Sequence, residues 1–232
     1  MLPIKGLQKT SLIDYPGKVV CTIFLAGCNF RCPYCQNPDL IENPDKLPDI
    51  KEEEIIGYLK KRRKWLDGIC ISGGEPTIHN GLVDFIKKIK EENFLVKLDT
   101  NGVNPNMIKE LLDNELIDFI SMDIKSSLDN YEKVANVKIN KDNIQKTVKM
   151  IKDSNIDYEF RATILPNLHS EEDIKRIGEW LKGSKKFVLQ QFRPKTCLDK
   201  SYENEKPFSR QEMEKFKKIL EPYFGSVEVR FS

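Results

Sequence analysis

The sequence has no apolar run of about 18 residues, the least a helix needs to cross a bilayer, so no transmembrane helix is expected. Its opening stretch, MLPIKGLQKTSLIDYPG, lacks the apolar core of a signal peptide. A cytoplasmic protein without membrane attachment is predicted. Excess charge is equally scarce: 38 Lys and Arg stand against 36 Asp and Glu, a net +2. That is no footprint for a polyanion, so nucleic acid is not expected as a partner. Histidine is limited to His79 and His169; neither has a visible partner, and neither is given a role. No low-complexity linker marks a domain boundary, and residues 1–232 read as a single core domain.

What the chain has is an alternation of strand and helix patterns. VVCTIFLA (19–26) is a continuous apolar run rich in β-branched residues, which suits a strand buried on both faces of a parallel sheet. Further strands are predicted at GICISGG (68–74), FLVKLDT (94–100), IDFISMDIK (117–125), DYEFRATIL (157–165), KFVLQQF (186–192) and SVEVRF (226–231). Between them, apolar residues recur at helical spacing. Ile55, Ile56, Leu59 and Leu66 lie on one face over 52–66, and Leu82, Phe85, Ile86 and Ile89 on the next such face. Asn104 and Pro105 start a helix, Ser170 with Asp173 and Ser209 with Glu212 form capping boxes, and Gly183 is placed to end a helix.

Six βα units in series imply a parallel sheet in an α/β fold. A flat doubly wound sheet and a barrel both fit that order. The unusual residues favour the barrel, because they fall at the C-terminal ends of the strands, where barrel enzymes build their sites. Six βα units are too few for a closed eight-stranded barrel. The prediction is a partial (βα)6 barrel with an open side.

Six cysteines in a reducing compartment argue for metal or catalysis rather than disulfides. Cys21, Cys70 and Cys197 are isolated and read as small core residues. Cys28, Cys32 and Cys35 are clustered in GCNFRCPYCQNP, directly after the strand over 19–26. Structural zinc wants four ligands in paired spacing, and no paired fourth ligand is visible. An iron–sulfur cube with three thiolates keeps one iron open, which a site needs if a substrate is to bind the metal.

The C-x3-C-x2-C motif after a first barrel strand resembles the radical S-adenosylmethionine superfamily, and the resemblance extends over essentially the whole chain. It implies one [4Fe-4S] cluster held by Cys28, Cys32 and Cys35, with S-adenosylmethionine on the open iron. Gly73-Gly74-Glu75-Pro76 is similar to the family's glycine-rich stretch, where freed backbone carbonyls and Glu75 would accept from the methionine ammonium. Asp99-Thr100-Asn101-Gly102 and Asp123-x-Lys125 are similar to its segments on the next strands. By resemblance Asp99 and Asn101 line the cofactor site, Asp123 binds the ribose hydroxyls, and Lys125 binds the methionine carboxylate. An alternative for Asp99 and Asp123 is a shared monovalent cation; an alternative for Asp123 and Lys125, which share a strand face, is an internal salt bridge. On 157–165, Glu159, Arg161 and Thr163 face one way and the apolar residues the other, making Arg161 a second candidate for the carboxylate.

The flanks narrow the choice within the family. SLIDYPGKVVCTIFLAGC resembles the approach segment of glycyl-radical-enzyme activases, and Tyr34-Cys35-Gln36-Asn37-Pro38 resembles their aromatic-Cys-x-Asn-Pro ending. Tyr34 and Gln36 would then flank the adenine. The branch that acts on anaerobic ribonucleoside-triphosphate reductase is the most similar. The resemblance implies a protein substrate, a glycyl-radical enzyme that gives up a glycine hydrogen, and a flavodoxin- or ferredoxin-like electron donor. LQQFRP (189–194) has no histidine where the pyruvate formate-lyase type carries one, which speaks against that target. The rivals are a radical enzyme acting on a small molecule or nucleoside precursor, and a non-catalytic zinc module. The basic run KKRRK (60–64) reads as a solvated helix face.

Overall fold

The computed structural model describes residues 1–231. It begins with a strand that hydrophobic periodicity does not single out: β1 (Ile4–Ser11) pairs antiparallel with β2 (Val20–Leu25). Gln8, Lys9 and Thr10 give β1 a polar, exposed stretch, as befits a sheet edge that must not recruit another chain. β3 (Gly68–Gly73), β4 (Leu95–Thr100), β5 (Phe119–Asp123), β6 (Asp157–Ile164), β7 (Ser184–Gln191) and β8 (Phe224–Arg230) then add in parallel. Among the described residues the eight strands form one sheet in sequence order, with β1 and β8 at its edges and no pairing between them. The sheet is open rather than closed, as expected of a partial barrel, with the antiparallel β1 as an addition.

The helices are α1 (Asp39–Glu42), α2 (Glu52–Lys61), α3 (Leu82–Glu91), α4 (Pro105–Asp113), α5 (Tyr131–Ala135), α6 (Lys141–Asp153), α7 (Glu171–Leu181) and α8 (Arg210–Leu220). Six connections from β2 to β8 carry them, which matches the six βα units. α2 stops at Lys61, five residues short of the apolar pattern's end, yet Leu66 is still buried. In the basic run, Lys60 and Arg63 both pair with Glu92 at half-exposed positions, so a solvated face is what that run forms. Both predicted capping boxes are present, at Ser170–Asp173 and Ser209–Glu212, and Asn104 accepts from the Met107 N–H. Gly183 follows α7 at φ +84.

Strands β2 to β7 are buried on their helix-facing side by Phe85, Ile86, Ile108, Ile144, Ile174 and Met213, among others, each without measurable exposure. Such side chains contribute about 1.5–3 kcal/mol apiece on removal from water. Cys21 and Cys197 are buried in this core, and Cys70 in a smaller cluster with Tyr15, Val20 and Phe119, so all three are core residues as predicted. On β6, Tyr158, Phe160, Ala162 and Ile164 pack under the helices, while Glu159, Arg161 and Thr163 face the concave interior. No helix among the described residues is long and apolar enough to cross a membrane.

Candidate functional site

The loop that carries the clustered cysteines leaves β2 through Gly27, at φ +82, and is tied down from several directions. Gly27 N–H donates to Leu40 O (2.7 Å), and Arg31 N–H donates to Ala135 O at the end of α5 (3.0 Å). The Arg31 guanidinium turns back onto the Cys28 and Phe30 carbonyls, at 2.6 and 2.8 Å. From the segment after β7, Leu198 N–H donates to Cys35 O and Asp199 N–H to Pro33 O. The thiols therefore hang on a fixed backbone. Phe30 N–H donates to Cys28 Sγ at 3.3 Å, a bond that a thiolate accepts more strongly than a thiol.

Every residue named above as a candidate ligand or cofactor contact lines one cavity of about 380 Å³ at the C-terminal ends of β2 to β7. The three cysteines come from the loop after β2; Asp99, Asp123, Lys125 and Arg161 come from β4, β6 and the end of β5 and the residues just after it. Thr163, read from the sequence as facing the same way as Arg161, lines it too, as do Asp14, Ser72 and Gln190, which were given no role. Asp14 reaches the wall through the β1–β2 turn, where Thr22 Oγ1 donates to it (2.6 Å). A larger surface groove of about 1350 Å³ runs between α4 and α6 and shares no residue with this set.

The strand ends form one charge network. Arg161 joins the two aspartates, Nε to Asp123 Oδ1 and Nη2 to Asp99 Oδ2 (3.1 Å). Lys125 Nζ reaches Asp123 at 3.3 Å, so the salt-bridge alternative for that pair is present. Lys97, buried on β4, pairs with Asp99, and Ser72 Oγ donates to Asp99 at 3.0 Å. A lone lysine within the apolar run FLVKLDT was the signal that could have found Lys97. The positive charge between Asp99 and Asp123 is the Arg161 guanidinium. Burial by itself would raise both carboxyls, but Arg161, with Lys125 at Asp123 and Lys97 at Asp99, outweighs it and holds both below the usual carboxylate range. Burial likewise would lower Lys125, and Asp123 more than offsets it, leaving the ammonium well above its ordinary value.

Two predicted roles are sharpened by the geometry. A Cβ on Gly73 would lie 2.3 Å from Leu25 N, and one on Gly74 would lie 1.8 Å from Gly27 O. The protein's own backbone, closing β3 against the cysteine loop, demands these glycines before any ligand does. Glu75 is buried and braced: Oε1 accepts from Thr77 N, Thr77 Oγ1 and Thr100 Oγ1, while Oε2 accepts from Asn101 N (2.6 Å). One acceptor direction of Oε2 is left for a ligand. Asn101 in turn donates from Nδ2 to Asn29 Oδ1, locking the β4 end to the cysteine loop. Tyr34 packs edge-on against Phe192, and Gln36 donates to Arg193 O (2.9 Å).

The histidines also find partners. His79 Nε2 donates to Ala26 O at 2.8 Å, beside the cysteine loop. His169 Nε2 donates to Lys125 O at 2.7 Å.

The donor set suits an iron–sulfur cluster: soft thiols on one fixed loop, an N–H aimed at one sulfur, and the Lys125 charge acting on Cys32 and Cys35. Among the described residues no three His, Cys, Asp or Glu side chains are already gathered at metal-holding distance, so ligation needs the cysteine side chains to turn toward one point. Burial pushes the Cys28 thiol up to about 12 and the Cys32 thiol up to about 11, so taking up iron must release protons.

Comparison with known proteins gives a consistent picture. Residues 22–181 match the family described as the Radical SAM superfamily. A Methanocaldococcus jannaschii protein with the provisional name of glycyl-radical enzyme activating enzyme is 34% identical over 233 residues, covering 98% of this chain and 95% of that one. The pyruvate formate-lyase-activating enzyme of Clostridium pasteurianum is 28% identical over 78% of this chain and 76% of its own. Among solved structures, Streptococcus suis SuiB bound to its precursor peptide superposes with a TM-score of 0.68 at 13% identity, over 88% of this chain and 46% of that chain. A domain of the Bacteroides vulgatus pyruvate-formate lyase-activating enzyme gives 0.56 at 17% identity, over 71% and 98%. At those identities the structures establish likeness of fold.

Proposed function

Because this chain belongs to the Radical SAM superfamily, we propose that it is a glycyl-radical-enzyme activase, a single core domain over residues 1–232, which removes a hydrogen atom from one glycine of a partner protein. The observation that carries this reading is the continuity of two spaces. The cysteine-lined cavity shares Asp14, Gln36, Arg161, Thr163 and Gln190 with a groove of about 750 Å³. The groove lies at the open edge of the sheet, between the β1–β2 turn and the end of β8. A loop of another protein has a lateral way in, which a small-molecule site sealed on all sides would not offer.

In this reading Cys28, Cys32 and Cys35 hold a [4Fe-4S] cluster through three thiolates. When bound, the cluster and S-adenosylmethionine supply the electron and the hydrogen-abstracting group. The chain supplies binding, orientation and exclusion of water. Lys125 offers its ammonium to the methionine carboxylate, Asp123 accepts from the ribose hydroxyls, and the Gly73 and Gly74 carbonyls with the spare Oε2 direction of Glu75 take the methionine ammonium. Tyr34 and Gln36 flank the base. Arg161 holds Asp99 and Asp123 in place of a monovalent cation. The proposed partner is an anaerobic ribonucleoside-triphosphate reductase, and the proposed electron source is a flavodoxin- or ferredoxin-like protein.

The test is anaerobic: reconstitute with iron and sulfide, reduce, and mix with S-adenosylmethionine and a candidate reductase. A glycyl doublet in the electron paramagnetic resonance spectrum supports the activase. Deoxyadenosine released without a radical on any glycine-bearing partner favours the small-molecule enzyme. Zinc without sulfide after anaerobic purification refutes the cluster.

A further inference from the structure

His169 is buried and neutral by construction. Leu165 N–H donates to its Nδ1 at 3.3 Å, so Nδ1 carries the lone pair and Nε2 carries the proton that is given to Lys125 O. Burial keeps the ring's proton affinity below its ordinary value, despite the hydrogen bonds to Lys125 and Leu165.

The bond matters because of where Lys125 sits. β5 ends at Asp123, two residues earlier, and β4 pairs with it only as far as Met122. Ile124 N–H donates to Arg161 O on β6 at 2.7 Å, so the Asp123 carbonyl faces the other side, where β4 has already ended. Side chains take over where strand pairing stops. Tyr131 Oη donates to Asp123 O at 3.2 Å, and beyond the end of β5 His169, from the segment after β6, serves Lys125 O. The same turn carries the α7 cap, whose Asp173 accepts from Ser127 and Asn130 just downstream of Lys125.

We infer that His169 is a positioning residue for cofactor binding: its Nε2–H fixes the backbone of Lys125 beyond the end of β5, and so aims the Lys125 ammonium into the cavity. The inference rests on the reading of Lys125 as a cofactor contact. His169 does not line the cavity, whereas Lys125 does; it acts through Lys125.

Two substitutions separate the halves of the ring. His169→Gln keeps a donor at the Nε2 position and loses the Nδ1 acceptor; His169→Asn keeps an acceptor for Leu165 N–H and loses the donor to Lys125. The assay is equilibrium binding of S-adenosylmethionine to the anaerobically reconstituted enzyme, alongside iron content, melting temperature and the cofactor-free cluster spectrum. His169→Gln should bind within about twofold of the parent, and His169→Asn about three- to tenfold more weakly. Iron content and the cofactor-free spectrum should be unchanged in both. The double variant His169→Asn, Lys125→Met should bind no more weakly than Lys125→Met alone, since the effect passes through Lys125.

Equal affinities for the Gln and Asn variants overturn the inference, as does failure of both to fold, which would make the role purely structural. Normal binding by Lys125→Met overturns the reading of the site itself. Weak binding by Lys125→Met with normal binding by His169→Asn overturns the positioning role alone.

Discussion

Replacing Arg161 by Met removes the guanidinium that joins Asp99 to Asp123 and leaves both carboxylates in place. Breaking a fully buried ion pair costs about 3–5 kcal/mol. Here the penalty is softened, because Asp99 keeps Lys97, Asp123 keeps Lys125, and the Asp123 side chain is 31% exposed. A loss of about 2–3 kcal/mol is the expectation. For a chain of this size that lowers the melting temperature by about 4–12 °C. The pH dependence has a definite sign. Both carboxyls are held below their ordinary values in the folded protein, so their contribution is fully present above the unfolded value of about 3.9 and disappears as pH falls through the folded one. Without Arg161 both folded values rise, and that contribution shrinks. The gap in melting temperature between parent and variant should therefore be full near neutral pH and close below about pH 4. Circular dichroism melts across that range measure it, with Arg161→Lys expected between the two because it keeps the charge but not the fork. Melting temperatures that coincide near neutral pH, or a gap that widens on acidification, would refute the electrostatic account of the network.

Gly74→Ala puts a Cβ 1.8 Å from Gly27 O, a backbone atom that cannot rotate aside. The cysteine loop must shift, at a cost of about 1–3 kcal/mol, and iron and sulfide per chain should fall; Gly57→Ala in α2, with nothing within 4 Å, should instead stabilise by about 0.5–1 kcal/mol. Arg230→Ala strips the paired guanidinium contacts (3.0 and 2.9 Å) from Glu159, which is 1% exposed. It should destabilise by about 2–4 kcal/mol. Adding Glu159→Gln should recover part of that in denaturant titrations, since no buried carboxylate is then left with only the longer Lys186 contact at 3.6 Å to balance its charge.

Much of the scaffold was readable from local chemistry. The β-branched run of β2, the helical stripe of α3, and the caps at Asn104, Ser170 and Ser209 sit where spacing alone puts them. β1 escaped notice because, at an edge, Gln8, Lys9 and Thr10 meet water and leave no apolar alternation. The end of α2 was misplaced because Leu66 keeps the apolar pattern going while the backbone turns at Arg62. In the site, the motif residues line one cavity, but neighbours without a motif (Lys97 and His169) could not be found by spacing.

By itself the sequence determined the order of β2 to β8 with the longer helices between them, and the clustered thiols after β2, because periodicity and turn chemistry act over a few residues. The tertiary structure decided which partner each charge takes. Arg161 meets Asp123 and Asp99 across 38 and 62 residues of chain, and His169 meets Lys125 across 44. Such pairings depend on the register of neighbouring strands and on where one strand outruns the next. Whether the barrel closes was settled the same way, by the absence of pairing between β1 and β8 among the described residues. That open edge is what gives the cavity its lateral approach.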